Sequence, residues 1–221
     1  VVEKTTTLGL QTGREGDILK GTTPMSYRAR NMQKTAYTVI QAVLYLLKSH
    51  KELDRIQIIK LLYLSDKYHL MHYGRTVTGD EYWARKMGPV GLMAKNILSF
   101  DDNRTNSLDG DVLSSVERHL EKFEDSYRSR NQKCDFELLS DSDKRALDFV
   151  AGKFGGMGSF ALRDYTHKYP EWKKHEHVFR ADPKSNPRRK IPQKELFSII
   201  DDQLGLTPAD VDQARELFAD F

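Results

Sequence analysis

The chain has 221 residues, 38% of them hydrophobic and 30% charged, enough apolar side chain to bury a substantial core. With 35 basic against 32 acidic residues the formal charge is +3, too even a balance to make nucleic acid the expected partner on charge alone. The single cysteine, Cys134, excludes an internal disulfide framework and a Cys-only zinc site, and it suits a reducing, cytoplasmic setting. No run approaches the roughly 18 apolar residues that span a bilayer. The first residues lack the basic-then-apolar layout of a signal peptide, so a soluble, non-exported protein without a membrane partner is expected.

Residues 1–31 are rich in Thr and Gly, with apolar residues too scattered to sustain either period, and read as an N-terminal arm that is flexible or orders against a partner. A first helix is expected over 33–49, where Tyr37, Ile40, Leu44 and Leu47 form one apolar stripe and Val39, Val43 and Leu46 a second. Asp54 is a suitable N-cap for a second helix that is apolar on nearly every face and therefore central. That helix should end at Tyr73, because Gly74 takes the left-handed conformation that a side chain disfavours. A polar turn over 75–80 leads to a strand over 81–87, with Tyr82, Ala84 and Lys86 on one face and Trp83, Arg85 and Met87 on the other. Gly88-Pro89 must end the strand, and Pro89 is expected to begin a third helix over 89–100.

A polar loop over 101–111 precedes an expected fourth helix over 113–130, on the spacing of Val116, Leu120, Phe123 and Tyr127. Residues 134–139 look extended and are placed beside the 82–87 strand. Ser140 can cap the next helix, which carries Ala146, Leu147, Phe149 and Val150, and Gly152, Gly155, Gly156 and Gly158 form a loop. A helix over 160–168 follows, and residues 180–191, with two prolines and a basic cluster, read as a loop. Helices over 193–204 and 208–221 close the chain. The whole reads as mainly α, in the α+β class: a helical domain over 32–221 with a small two- or three-stranded sheet.

Candidate chemistry is sparse. His69 and His72 stand three apart on the second helix with Asp66 a turn earlier, but no HExxH motif or cysteine pair completes a metal site, and hydrogen-bonded histidines are the simpler reading. The glycines at 152–158 follow a helix rather than a strand and carry no GK[ST], so neither nucleotide-binding fingerprint is met. Ser159 and Cys134 lack the motif context of a nucleophile. No cofactor is implied, and an enzyme is not expected. The region 134–168 could be arranged as a helix-turn-helix, with Arg163, His167 and Lys168 facing DNA, although the same helices could simply pack together. Lys184, Arg188, Arg189 and Lys190 form a basic cluster suited to phosphate or an acidic protein surface.

The segment 60–90, KLLYLSDKYHLMHYGRTVTGDEYWARKMGPV, resembles the signature of the Panacea domain, the SocA-like antitoxin domain of phage-associated proteins. The similarity is carried by the KLLY helix ending at Tyr63, the Tyr68-His69 pair, Tyr73-Gly74, Thr78-Gly79-Asp80, the short strand and Gly88-Pro89-Val90. It is dense over 32–100 and returns in LRDYTHKYPEW at 162–172, while Gly91-Leu92 departs from the family pattern. The resemblance implies an antitoxin that neutralises a toxin encoded nearby by direct complex formation, with promoter DNA or a protease as weaker alternative partners. Tyr63, Tyr68, Gly74, Gly79, Gly88 and Pro89 are then signature residues of the scaffold. Lys67, Tyr82, Arg85 and Lys86, which lie beside them, are the expected partner contacts. Toxin identity and oligomeric state are not set by the sequence.

Overall fold

Asp54 starts the central helix. In a computed structural model, which describes residues 26–102, 108–130, 134–182 and 185–219, its carboxylate accepts from the backbone N–H groups of Ile56 (2.7 Å) and Gln57 (2.9 Å). The Gln57 side chain accepts the Asp54 N–H in return, at 3.0 Å. This reciprocal cap satisfies donors that a first turn otherwise leaves unpaired. From it α2 (Arg55–Tyr73) runs to Gly74, which sits at φ 70 and closes its N–H on the Leu70 carbonyl. Ile58, Leu61, Leu62, Leu64, Leu70 and Met71 are all fully buried, and each contributes about 1.5–3 kcal/mol by leaving water.

The elements around α2 bury its faces. These are α1 (Tyr27–Ser49), α5 (Asp141–Phe154), α6 (Ser159–Thr166) and α9 (Pro208–Ala219). The first of them begins at Tyr27, capped by the Ser26 hydroxyl, six residues before the sequence reading placed it. Its first turns are mostly exposed and the buried stripe starts at Ala36. The proposed arm over 1–31 therefore lies outside the described residues up to 25 and is helical from 27. Ser140 caps α5 as expected, accepting from Asp143 N–H at 3.2 Å.

Two three-stranded antiparallel sheets flank the helices. One has the order β1-β5-β4, from β1 (Leu53–Asp54), β4 (Leu120–Phe123) and β5 (Ser126–Ser129), with Leu53 opposite Tyr127 and Leu120 opposite Ser129. This corrects the helix expected over 113–130: α4 (Gly110–His119) stops early, and the chain turns back through Glu124, at φ 55, into a hairpin. The four-residue spacing of Phe123 and Tyr127 suits a helix, but the pairing with β1 is long-range and invisible to local periodicity.

The second sheet has the order β3-β2-β6, from β2 (Tyr82–Arg85), β3 (Gly88–Gly91) and β6 (Arg189–Ile191). Tyr82 lies opposite Gly91 on one side and Ile191 on the other. Three corrections follow. Pro89 belongs to a strand, where its missing N–H is tolerated at the sheet edge, and α3 (Leu92–Ile97) begins only after Gly91. The third strand comes from the basic cluster read as loop. Residues 134–139 form no strand. The chain then passes through α7 (Pro170–Lys173), α8 (Glu176–Ala181) and short 3-10 turns at Gln193–Leu196 and Asp202–Leu204, where one helix over 193–204 was expected. Among the described residues no helix is long and apolar enough to cross a membrane.

Candidate functional site

Ordinarily a helix at the centre of a domain carries only apolar side chains, yet Lys60, Asp66 and Lys67 in α2 are all buried to within 1% exposure. Each is compensated from outside the helix: Lys60 by Pro89, Asp66 by Thr78 and Tyr82, and Lys67 by Glu171, all in the signature segments, with Leu196 and Ser198 beyond them also serving Lys67. The Asp66 carboxylate accepts from the Thr78 N–H (2.8 Å), the Thr78 hydroxyl and the Tyr82 hydroxyl (2.8 Å). It thereby ties α2 to the turn that follows it and to β2. Burial pushes the Asp66 carboxyl up to about 6 against the pull of those bonds.

Lys60 donates to the Pro89 carbonyl at 2.7 Å, and burial pulls its ammonium down to about 7. The same contact explains Gly88. Its φ of 99 disfavours a side chain, and a Cβ there would stand 2.6 Å from the Lys60 Nζ. Gly74 likewise packs against Leu217 of α9, where a Cβ would meet the Leu217 side chain at 2.8 Å.

Lys67 holds the far end of the domain. Its Nζ donates to Glu171 Oε1 (2.8 Å), the Leu196 carbonyl (2.5 Å) and the Ser198 hydroxyl (2.9 Å), and lies over the Tyr169 ring. Tyr63 donates its hydroxyl to the same Glu171 oxygen at 2.5 Å, and Ser198 donates to the other at 2.7 Å. Burial lowers Lys67 to about 8 even though Glu171 raises it, and burial together with Glu171 holds the Tyr63 phenol protonated. The Tyr63 ring meets Tyr82 and Tyr169 edge-on. Trp172 donates its indole N–H to the Arg85 carbonyl at 2.8 Å, so KYPEW at 168–172 clamps both α2 and β2.

Asp80 completes the set. Gly91, the residue before α3, has no side chain to cap that helix, and Asp80 accepts instead from the N–H groups of Met93 and Ala94, each at 2.9 Å. Burial pushes its carboxyl up to about 7. Tyr68 stacks on Phe149 at 4.4 Å and joins α2 to α5. Gly79, at φ 68, turns the chain between Thr78 and Asp80.

The sequence candidates divide accordingly. Lys67 and Tyr82 are interior residues, 0% and 3% exposed, which corrects the expectation that they face a partner. The lone lysine on a helix looked like a surface residue because its counter-ion lies 104 positions away. Arg85 is half-buried and Lys86 is exposed at the β2–β3 turn. His69 and His72 do not converge: His69 meets the Arg75 carbonyl and Ser142, while His72 turns back to the Tyr68 carbonyl. Asp66 is taken up by Thr78 and Tyr82. Among the described residues no group of three His, Cys, Asp or Glu side chains is placed to hold a metal ion.

The helix-turn-helix candidates are likewise dispersed. Arg163 pairs with Asp164 (2.7 Å), His167 stacks on Trp172 (3.5 Å), and Lys168 lies over Tyr165. A cavity of about 600 Å³ between α1, β5 and residues 134–136 includes none of the signature residues.

Sequence reasoning missed a basic group on the outward side of β2. Trp83 and Arg85 point away from the core, Arg188 lies over the Trp83 ring at 5.1 Å, and Arg55 and Lys95 approach from α2 and α3. Of the basic cluster noted in the sequence, Lys184 lies outside the described residues and Lys190 pairs with Glu81 at 3.0 Å.

No curated protein and no solved structure matches the chain. A family model does: that of the antitoxin SocA-like, Panacea domain matches residues 58–173, from within α2 to the end of α7. The matched segment is more than half of the 221 residues and contains Lys60, Asp66, Lys67, Asp80, Gly88 and Glu171. The chain belongs to the SocA-like antitoxin family that carries the Panacea domain.

Proposed function

We propose that the protein is the antitoxin of a phage-associated toxin–antitoxin pair and neutralises its cognate toxin, encoded nearby, by direct complex formation in the cytoplasm. Family membership carries this reading. The side-chain geometry supports it: the ionisable groups of the signature are engaged inside the fold, at Thr78, Tyr82, Pro89, Glu171 and the start of α3, and so act as struts. A domain that spends its unusual residues on rigidity presents a surface, which supports a binding role. Residues 32–221 act as the antitoxin domain and residues 1–31 as an additional arm. Arg85 and Lys86, at the outer end of β2, are the partner contacts; Lys67 and Tyr82 support that strand from behind.

Co-expression tests the proposal. Expression of the adjacent gene alone should arrest growth, and co-expression of this chain should restore it. A neighbour that is harmless alone, or whose toxicity persists, rejects the reading. A fold-preserving substitution at Arg85 or Lys86 should weaken the rescue, while Arg180→Ala on α8 should leave it intact.

A further inference from the structure

We infer that the outward face of the β3-β2-β6 sheet, with Trp83 at its centre and Arg55, Arg85, Lys95 and Arg188 around it, is a receptor for a short acidic segment of a partner protein. The identity of that partner as the toxin rests on the antitoxin reading; the chemistry of the surface does not.

Two observations converge. First, among the described residues the four cations share one neighbourhood with no carboxylate in ion-pair range of any of them. Elsewhere Arg75, Arg128, Arg163, Arg180 and Arg215 each have a carboxylate within 4 Å. Arg55 instead bonds Ser99 Oγ, and among the described residues no ion pair forms at Arg85, Lys95 or Arg188. The group is close enough for mutual repulsion: burial and then Arg188 and Arg55 lower Arg85, and burial followed by Arg85, Arg55 and Arg188 lowers Lys95, with Asp102 offsetting part of it. Second, two donors in the same place, Trp83 Nε1 and Arg85 Nε, are sealed from water with no acceptor. Buried donors are seldom left so. Both deficits are met by the same ligand: a carboxylate neutralises the cluster, and a turn of the Trp83 and Arg85 side chains on binding brings their unpaired N–H groups to it.

The geometry favours a protein segment over a nucleic acid. Arg188 covers the Trp83 ring and the other cations lie near enough to act on one another, and a half-buried tryptophan beside arginines is the composition of a protein hot spot. Acidic residues fringe the surface: Glu81 is exposed on the Lys190 side and Asp102 lies on the Lys95 side. A continuous phosphate backbone would meet these charges, whereas two or three carboxylates reach the centre between them.

Fluorescein-labelled hexaglutamate, titrated into the full chain and followed by anisotropy at low salt, tests the inference, with a labelled 20-base-pair duplex in parallel. Saturable peptide binding is expected that weakens steeply as salt rises, falls at least tenfold in Arg188→Ala and Arg85→Ala, and is unchanged in Arg180→Ala. Arg188 is exposed, so its variant decides the matter even if Arg85→Ala unfolds. No peptide binding, or binding indifferent to Arg188→Ala, overturns the inference. Tighter duplex binding lost in the same variants also overturns it and makes the surface a nucleic-acid site. The assay needs no toxin: peptide binding beside a harmless neighbouring gene would remove the antitoxin reading alone, and rescue without peptide binding would remove this inference alone.

Discussion

Removing one partner of the Lys67–Glu171 pair should be far more damaging than removing both charges together costs per residue. Both side chains are 0% exposed and stand 2.8 Å apart. Lys67→Met leaves a buried carboxylate held only by Tyr63 and Ser198, and Glu171→Leu leaves a buried ammonium held only by Leu196 O and Ser198 Oγ. An uncompensated buried charge costs about 3–5 kcal/mol, so the single variants, if independent, would sum to roughly 6–10 kcal/mol. That approaches the whole stability of a typical domain, about 5–15 kcal/mol. The double variant buries no charge. It orphans the Tyr63 hydroxyl and strips the Ser198 hydroxyl of both its side-chain partners, at about 1–3 kcal/mol each, for a total of about 4 kcal/mol, while the Leu196 carbonyl keeps the Ser198 N–H. Urea unfolding of the four proteins, followed by tryptophan fluorescence at pH 7, should give a coupling of at least about 2 kcal/mol. Additivity within about 0.5 kcal/mol, or single variants costing under about 1 kcal/mol as exposed pairs do, would show that this pair is no strut.

Lys60 gives a pH signature. Unfolded, it keeps its proton to 10.5; folded, burial lets it go at about 7, so the unfolded state binds more protons between those values and stability rises with pH across that window. The gap of about 3.5 pH units at about 1.4 kcal/mol each makes the burial cost, fully present below 7, on the order of 5 kcal/mol. The stability of the native chain relative to Lys60→Met should therefore improve by several kcal/mol from pH 6 to pH 10, and a constant difference rejects the assignment. Gly88→Ala should lower the urea-derived stability by more than about 2 kcal/mol, because φ 99 and the Lys60 Nζ both oppose a Cβ. Gly156→Ala, where a Cβ meets nothing within 4 Å, should shift it by less than about 0.5 kcal/mol; equal effects would contradict the packing. Asp80→Ala should cost about 1–2 kcal/mol as a lost cap and speed amide exchange at Met93 and Ala94 selectively; uniform exchange would contradict the capping role.

The parts of the fold governed by local chemistry were legible. Asp54 and Ser140 cap helices, Gly74 stops one, and the alternation over Tyr82–Arg85 assigns core and outward faces, because each depends on neighbours within four residues. What failed depends on distant pairing. The 120–129 hairpin is stabilised by β1, and Arg189–Ile191 becomes a strand only because β2 offers an edge. Pro89 looked like a helix start because the true cap, Asp80, lies 13 residues before the N–H it receives. The signature segment was recognisable, but the burial of Lys67 was not, since Glu171 is far along the chain. The cations around Trp83 come from four separate stretches, so no window of sequence contains the patch.

Direct association with the neighbour is the decisive question. Mixing this chain with the purified product of the adjacent gene in a calorimeter, followed by size-exclusion chromatography, should give saturable binding and one co-eluting complex whose affinity falls in Arg188→Ala. Relief of toxicity in cells with no complex between the purified proteins would contradict neutralisation by binding and place the activity elsewhere, such as at the promoter.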